Sequence, residues 1–173
     1  EYAIEGLERY HATLGRFKHP DQHPMTGHLP KTRIKVETDE SPISKVKINI
    51  KEDMLTFYTS ALERLCKPGN NPNKYGETAY VDADLLSMMN ERINLGRYVA
   101  ESKLKSDPTL IKIQSDEEIV AKLRNQQRED EVVAKARKVA ANYELDQDAV
   151  ENFFRWMIDE TVKVELSYVK QKR

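Results

Sequence analysis

The sequence predicts an all-α protein, a single-domain helical bundle with one long loop in its N-terminal half. Three observations carry that prediction. Apolar residues recur at helical spacing over most of the chain. Turn signals rich in Pro, Gly and Asn separate those runs. No internal repeat or low-complexity segment competes with this reading. A chain of 173 residues is long enough for one domain with a real core. Residues 1–81 are read as N-terminal helices plus the loop, and residues 82–173 as the helices that carry the site.

The first helix is predicted in YAIEGLERYHATLGRF, where Ile4, Leu7, Tyr10 or His11, and Leu14 share a face. Pro20 and Pro24 forbid its continuation. From Lys18 to about Asn49 the chain is polar and punctuated by proline. Within it RIKVE and KVKINI alternate apolar and polar residues around SPIS, which fits either a hairpin or an ordered loop. Helical spacing returns at Met54, Leu55, Tyr58, Ala61, Leu62 and Leu65, and stops at the turn signal KPGNNPNKYG. Asp82 or Asp84 opens a long helix that runs to about Leu104, before Pro108. Ser115 followed by Glu118 is a capping box for a helix that kinks and continues to Tyr143. Asp146 caps the last helix, whose stripe runs from Val150 through Phe154 and Met157 to Tyr168.

Bulk properties exclude several functions. A net charge of −1 leaves no basic excess for neutralising phosphates, so a nucleic-acid partner is not expected. No apolar run approaches the roughly 20 residues that span a bilayer, and no membrane partner is expected. Cys66 is the single cysteine, which rules out an internal disulfide and a thiolate metal cluster and does not fix the compartment. The chain opens at Glu1 rather than methionine, so either processing or an upstream segment is expected. Without a signal peptide upstream the expected location is cytoplasmic, and with one the protein is secreted.

Polar residues interrupt three of the predicted apolar faces. The stripe Leu85, Met89, Arg92, Gly96, Val99, Lys103 aims two cations inward, roughly 16 Å apart along one helix. The next helix leads from Ala140, Ala136, Val133 and Val132 to Glu129 and Asn125, and the last one leads from Met157 and Ile158 to Thr161 and Glu165. Taken singly, each such residue is explained by a long side chain that reaches water from a stripe's edge. Three helices with a polar pair each are harder to explain that way, because burying unpaired ions costs several kcal/mol apiece. The set calls for mutual pairing, solvent, or an anionic ligand between helices. Arg92 and Lys103 are placed to clamp a compact dianion, with Gly96 leaving room for it against the helix.

The segment YGETAYVDADLLSMMNERINLGRYVAESKLKSDP resembles the core helix of the all-helical (AroQ-type) chorismate mutases, in the fungal and plant form. The likeness extends to LERYHATLGRFKHPDQHP upstream, and downstream through NQQREDEVVAKARKVAANYE to ETVKVELSYVKQKR. It includes R-x10-K followed by N-x3-E and T-x3-E. The resemblance implies an isomerase that rearranges chorismate to prephenate without cofactor or metal. It implies that Arg92 grips a substrate carboxylate and that Lys103 and a protonated Glu165 donate to the ether oxygen. Glu129 is implied to accept from the ring hydroxyl, and Asn125 and Thr161 to help hold carboxylates. A homodimer is implied as well.

Two departures stand out. The family places a further arginine on a helix that precedes the aligned region, and no residue here takes its role by position; an upstream segment is expected to carry it. Relatives bind tryptophan or tyrosine at a dimer-interface site, and Arg16, Asn73 and Gly76 fit that pattern. Gly15 stands in place of a second arginine, and Glu77 and Tyr80 in place of small hydroxyl residues. The expectation is a vestigial regulatory region and no control by aromatic amino acids. Two alternative functions stay open: an isochorismate pyruvate-lyase, and a non-catalytic or secreted relative that binds a protein partner through the 18–49 loop. His19, His23 and His28 tempt a metal reading, but Pro20 and Pro24 deny them a helix, and surface or structural roles are expected.

Overall fold

A computed structural model describes residues 1–38, 40–44, 46 and 48–173. Among the described residues the chain forms seven α-helices and no strand: α1 (Tyr2–Thr13), α2 (Lys51–Leu65), α3 (Tyr75–Asn94), α4 (Gly96–Ser106), α5 (Asp116–Leu123), α6 (Gln126–Asn142) and α7 (Gln147–Gln171). The 25-residue α7 is the spine, and it packs against α2, α3, α4, α5 and α6. It is long because Asp146 caps it firmly, its carboxylate accepting from the Asp148 and Ala149 amides at 2.9 and 3.0 Å, and because no glycine or proline interrupts it.

Two apolar clusters flank this spine. One joins α1, α2, α3 and α7 through Ile4, Met54, Leu86, Ile93 and Val164. There the Phe57 and Trp156 rings stack 4.2 Å apart, fastening α2 to α7. The other joins α4, α5 and α7 through Ala100, Ile119, Leu123, Tyr168 and Val169, closed by Leu110 and by Ile43 of the long loop.

Several boundaries differ from the sequence expectation. Helix α3 begins at Tyr75, so the stretch YGETAY belongs to the helix rather than to the turn before it. The turn signal ends one residue earlier, where Asn71 accepts from the Asn73 amide in a short 3-10 segment. The long helix expected to reach Leu104 is interrupted at Leu95, where the amide of Tyr98 bonds back to the Leu95 carbonyl at 3.0 Å and tightens one turn. The helix expected to kink after Ser115 is broken outright. Ser115 caps α5 by accepting from the Glu118 amide, and Asn125 starts α6 afresh. The alternation in RIKVE and KVKINI makes no hairpin; the described residues of both runs are without strand, and Lys45 and Lys47 lie outside the described residues. Tyr143, placed on an inward stripe by its spacing, is 74% exposed because α6 ends there.

The loop between α1 and α2 is nevertheless tied down at its start. Glu8 of α1 is buried, and its two carboxylate oxygens accept from the amides of Met25 and Thr26 at 2.9 and 2.7 Å. Next to that anchor, the His23 imidazole sits on the guanidinium of fully buried Arg97, with Nδ1 2.7 Å away. Burial, then the charge of Arg97, lowers the His23 pKa to about 4, so the ring is neutral at ordinary pH. Asn90 donates to the His23 carbonyl and Asn94 donates back to Asn90, which extends the polar seam down α3.

Removing the Glu8 carboxylate would strand two buried amides at a cost of about 1–3 kcal/mol each. Glu8→Ala is therefore expected to lose about 2–6 kcal/mol of stability in urea unfolding, with faster hydrogen exchange at Met25 and Thr26. Unchanged exchange at those two amides would show that the loop is held by something else.

Candidate active site

Helices α3, α4, α6 and α7 enclose an open cavity of about 270 Å³. Arg92 from the last turn of α3, Lys103 from α4, Asn125 and Glu129 from the start of α6, and Thr161 and Glu165 from α7 all line it. The structure thus brings together all six inward polar residues picked out on helical faces. Between them Val99, Val132 and Ile158 give the cavity apolar walls.

Lys103 and Glu165 form its polar floor. The Lys103 ammonium donates to the Glu165 carboxyl at 3.1 Å and also to the carbonyl of Leu123, the last residue of α5. The Glu165 side chain is 6% exposed. Burial pushes its pKa up, and the nearby Glu129 adds to the rise; Lys103 and Arg92 pull the other way without cancelling it. With a proton on Glu165, that carboxyl and the Lys103 ammonium would be two hydrogen-bond donors side by side.

Glu129 is held from outside the cavity. Arg124, in the link between α5 and α6, donates to it at 2.9 Å and to Asp159 of α7. One carboxylate oxygen of Glu129 is engaged there, leaving the other for a ligand. Asn125 is not on a helical face as the spacing suggested; it is the N-cap of α6, its side-chain oxygen accepting from the Arg128 amide at 3.0 Å. Only its NH₂ group is left to donate. Thr161 gives its hydroxyl proton to the Met157 carbonyl at 2.7 Å, so it offers lone pairs to the cavity unless it rotates. Arg92 is exposed and has no hydrogen bond or ion pair among the described residues, which leaves its guanidinium available at the cavity edge.

Gly96 does something other than expected. A Cβ placed there would lie 2.8 Å from the Thr161 carbonyl oxygen and 3.3 Å from Cγ of Glu165. The missing side chain makes room for α7, not for a ligand. Arg128 and Arg124 were not visible in the apolar spacing. Arg128 lines the cavity and Arg124 fixes Glu129. Taking Asn125 as a helix N-cap would have placed Arg128 in the first turn beside Glu129.

The residues of the expected regulatory region do not meet within one chain. Arg16 is bound by Gln22 at 2.8 Å, by His11 at 2.9 Å and by Glu91 near the end of α3. Gly76 sits at the opposite end of α3, roughly 22 Å away along the axis, and Asn73 is in the turn before it. Gly15 has φ +82°, and a Cβ there would lie 2.2 Å from Val36; the backbone and the loop both exclude a longer residue. The three loop histidines stay apart in role: His23 faces Arg97 while His19 and His28 are exposed. Among the described residues no group of three or more His, Cys, Asp or Glu side chains converges as a metal site, and no helix is long and apolar enough to cross a membrane.

The family model described as chorismate mutase type II matches residues 75–166, just over half of the chain. The chain belongs to the chorismate mutase type II family. Chorismate mutase 1, chloroplastic, of Arabidopsis thaliana is 36% identical over 118 residues, which cover 62% of this chain and 33% of the relative. The chorismate mutase of Schizosaccharomyces pombe is 24% identical over 186 residues, 97% of this chain and 74% of the relative. The chain therefore spans a third of the plant relative's length and about three quarters of the yeast one's. Among solved structures, AtCM1 with tyrosine bound in its allosteric site superposes with a TM-score of 0.87 at 28% identity, over 99% of this chain and 77% of that one. The all-α fold read from periodicity is the fold of that family.

The packing at Gly96 generates a test. Gly96→Ala forces α7 to shift by several tenths of an ångström, an overpacking strain of about 1–3 kcal/mol. The melting temperature is expected to fall by about 3–10 °C. A variant as stable as the parent would mean that the two helices part without cost.

Proposed function

We propose that this chain is a chorismate mutase, rearranging chorismate to prephenate with its own side chains and no cofactor. The observation that carries the proposal is the meeting of Arg92, Lys103, Glu129 and Glu165 around one cavity, in a member of this family. The reaction is pericyclic, so no proton must be abstracted and no covalent intermediate formed. What the protein contributes is the compact conformer of a flexible dianion and donors aimed at the oxygen where negative charge grows.

In this reading Arg92 holds one carboxylate. Lys103 and the neutral Glu165, adjacent at 3.1 Å, both donate to the ether oxygen as its C–O bond breaks. The pair suits that task because burial opposes a carboxylate at Glu165, and an anion there would repel the developing charge. Glu129, clamped by Arg124, accepts from the ring hydroxyl through its free oxygen. Asn125 donates through its NH₂ group, and Thr161 contributes once its hydroxyl turns from Met157. Val99, Val132 and Ile158 shield the polar centre from water.

Two further parts of the proposal concern assembly and control. A homodimer would cover the exposed apolar residues Val81 and Met88 of α3 and Leu95 just past its end, at seven-residue spacing, together with Tyr10 of α1 and Leu14 just past its end. It would also be the way to bring Arg16 of one copy toward Asn73 and Gly76 of another. Even so, aromatic amino acids are not expected to regulate this chain: Arg16 is already paired, Gly15 excludes a second arginine, and Glu77 and Tyr80 add charge and bulk.

The decisive experiment follows chorismate consumption by the full chain and identifies the product. Prephenate is expected, and release of pyruvate would mark a lyase instead. Lys103→Ala should lower kcat at least about 100-fold, the loss typical of removing one donor from a developing oxyanion. Activity should fall as pH rises through the elevated pKa of Glu165, because the neutral acid is the active form. Glu165→Gln keeps a neutral donor at all pH and should remove that limb; an unaltered pH profile would reject the assignment. Sedimentation is expected to report a dimer whose turnover does not change with saturating tyrosine or tryptophan. A change in rate of more than about twofold on adding either would refute the lack of control.

A further inference from the structure

We propose that Asp159 is a positioning residue of the candidate active site: acting through Arg124, it holds Glu129 and the first turn of α6 in place against α7. The inference rests on the chorismate reading above and assigns a role to a carboxylate outside the cavity.

The start of α6 has no apolar anchor of its own. From Asn125 to Glu131 every residue is exposed except Glu129, and the first buried residue of the helix is Val133. Glu129 therefore belongs to a turn that polar contacts must fix. Its bond to Arg124 at 2.9 Å does so only in part, because Arg124 lies five residues earlier on the same segment. The two side chains would drift together if nothing joined them to another helix.

Asp159 supplies that junction. The Arg124 guanidinium is forked, and while its Nη1 donates to Glu129, its Nη2 donates to Asp159 of α7. One arginine thereby joins the link between α5 and α6, the first turn of α6, and α7. The point of attachment on α7 lies among site residues. Ile158 and Thr161, one residue before and two after Asp159, both line the active cavity, and Glu165 follows within two turns. The residue before Arg124 has a share as well, since the Leu123 carbonyl accepts from Lys103. Displacing the link would move the partners of both Glu129 and Lys103.

Glu129 also has somewhere else to go. Behind it lies a second cavity of about 220 Å³, lined by Arg124, Gln126 and Asp159, and Glu129 and Ile158 line both cavities. Glu129 is thus part of the wall between them. Freed from its tether, the carboxylate has room to turn back toward Gln126 and away from a ligand. Another contact between these helices, Asp130 of α6 with Arg155 of α7, is longer at 3.5 Å, and Arg155 bonds Glu151 of its own helix at 2.7 Å. That contact does not reach Glu129.

Steady-state kinetics of the full chain with chorismate test this, with Asp130→Asn as the control. Asp159→Ala is expected to lower kcat about tenfold while KM stays within about twofold, the signature of a misplaced group. Asp159→Glu should recover part of the loss. Arg124→Gln should lose at least as much as Asp159→Ala, and the double variant no more than Arg124→Gln alone, because Asp159 acts through Arg124. The melting temperature of Asp159→Ala should stay within about 3 °C of the parent, since Asp159 is 54% exposed and such a pair adds little stability. Asp130→Asn, equally exposed, should keep the parent's kcat. Unchanged kcat in Asp159→Ala, additive losses in the double variant, or an equal fall in Asp130→Asn overturns the proposal. Should the parent itself fail to turn over chorismate, the catalytic reading fails, and crystal structures of the parent and Asp159→Ala decide the positioning role. A displaced Glu129 side chain in the variant then supports it; an unmoved one overturns it.

Discussion

The close approach of α4 to α7 at Gly96 sets the distance between the polar groups of the cavity. Because nothing but hydrogen separates that residue from the Thr161 carbonyl, Lys103, two turns further along α4, comes down beside Glu165, one turn further along α7. A larger side chain at the crossing would open the space between the ammonium and the carboxyl and lengthen their 3.1 Å contact. The break at Leu95 works with this contact. On either side of it, Arg92 at the end of α3 and Lys103 on α4 line the same cavity.

At Glu165 two effects compete. Lys103 in contact favours the carboxylate, and by itself would make an ordinary ion pair. The site is 6% exposed and faces apolar walls, however, and burial wins in direction. In the proposed chemistry that direction favours a protonated Glu165 beside the Lys103 ammonium, two donors rather than an ion pair that a dianion would have to disrupt. Arg124 performs the complementary service for Glu129, drawing it and Asp159 together so that its one positive charge offsets part of the charge of two carboxylates near the cavity.

Much of this was legible in the sequence because helices translate spacing into faces. Polar residues at positions where an apolar stripe should continue, such as Arg92, Lys103, Glu129 and Glu165, reach the interior for the same geometric reason that their apolar neighbours do. Residues whose position depends on where a helix starts were not legible in that way. Asn125 reads as a face residue as long as the α5–α6 break reads as a kink, and Arg128 escapes notice with it. At Gly96 the stripe of one helix shows no trace of the partner that crosses it, so the space there reads as a ligand's. The alternation in the 33–50 region suggested strands, yet Ile43 and Ile50 are buried as single anchors between helices, a use of apolar residues that has no period.

The N-terminal half obeys a different constraint. Its loop has little regular structure, and it is held by a few buried polar contacts: Glu8 on two amides, His23 on Arg97, Arg16 on Glu91. Each of these ties the loop to α1, to α3 or to the start of α4, which are also the elements that carry the exposed apolar stripe. A ligand that engaged Arg16 would first have to release it from Glu91, Gln22 and His11. That cost is absent from a site whose arginine waits unpaired, as Arg92 does at the cavity edge. The same residue type thus stands in opposite states in this chain, and the difference lies in its partners: Arg16 is already satisfied within the fold, whereas Arg92 lines the cavity with no ion pair among the described residues.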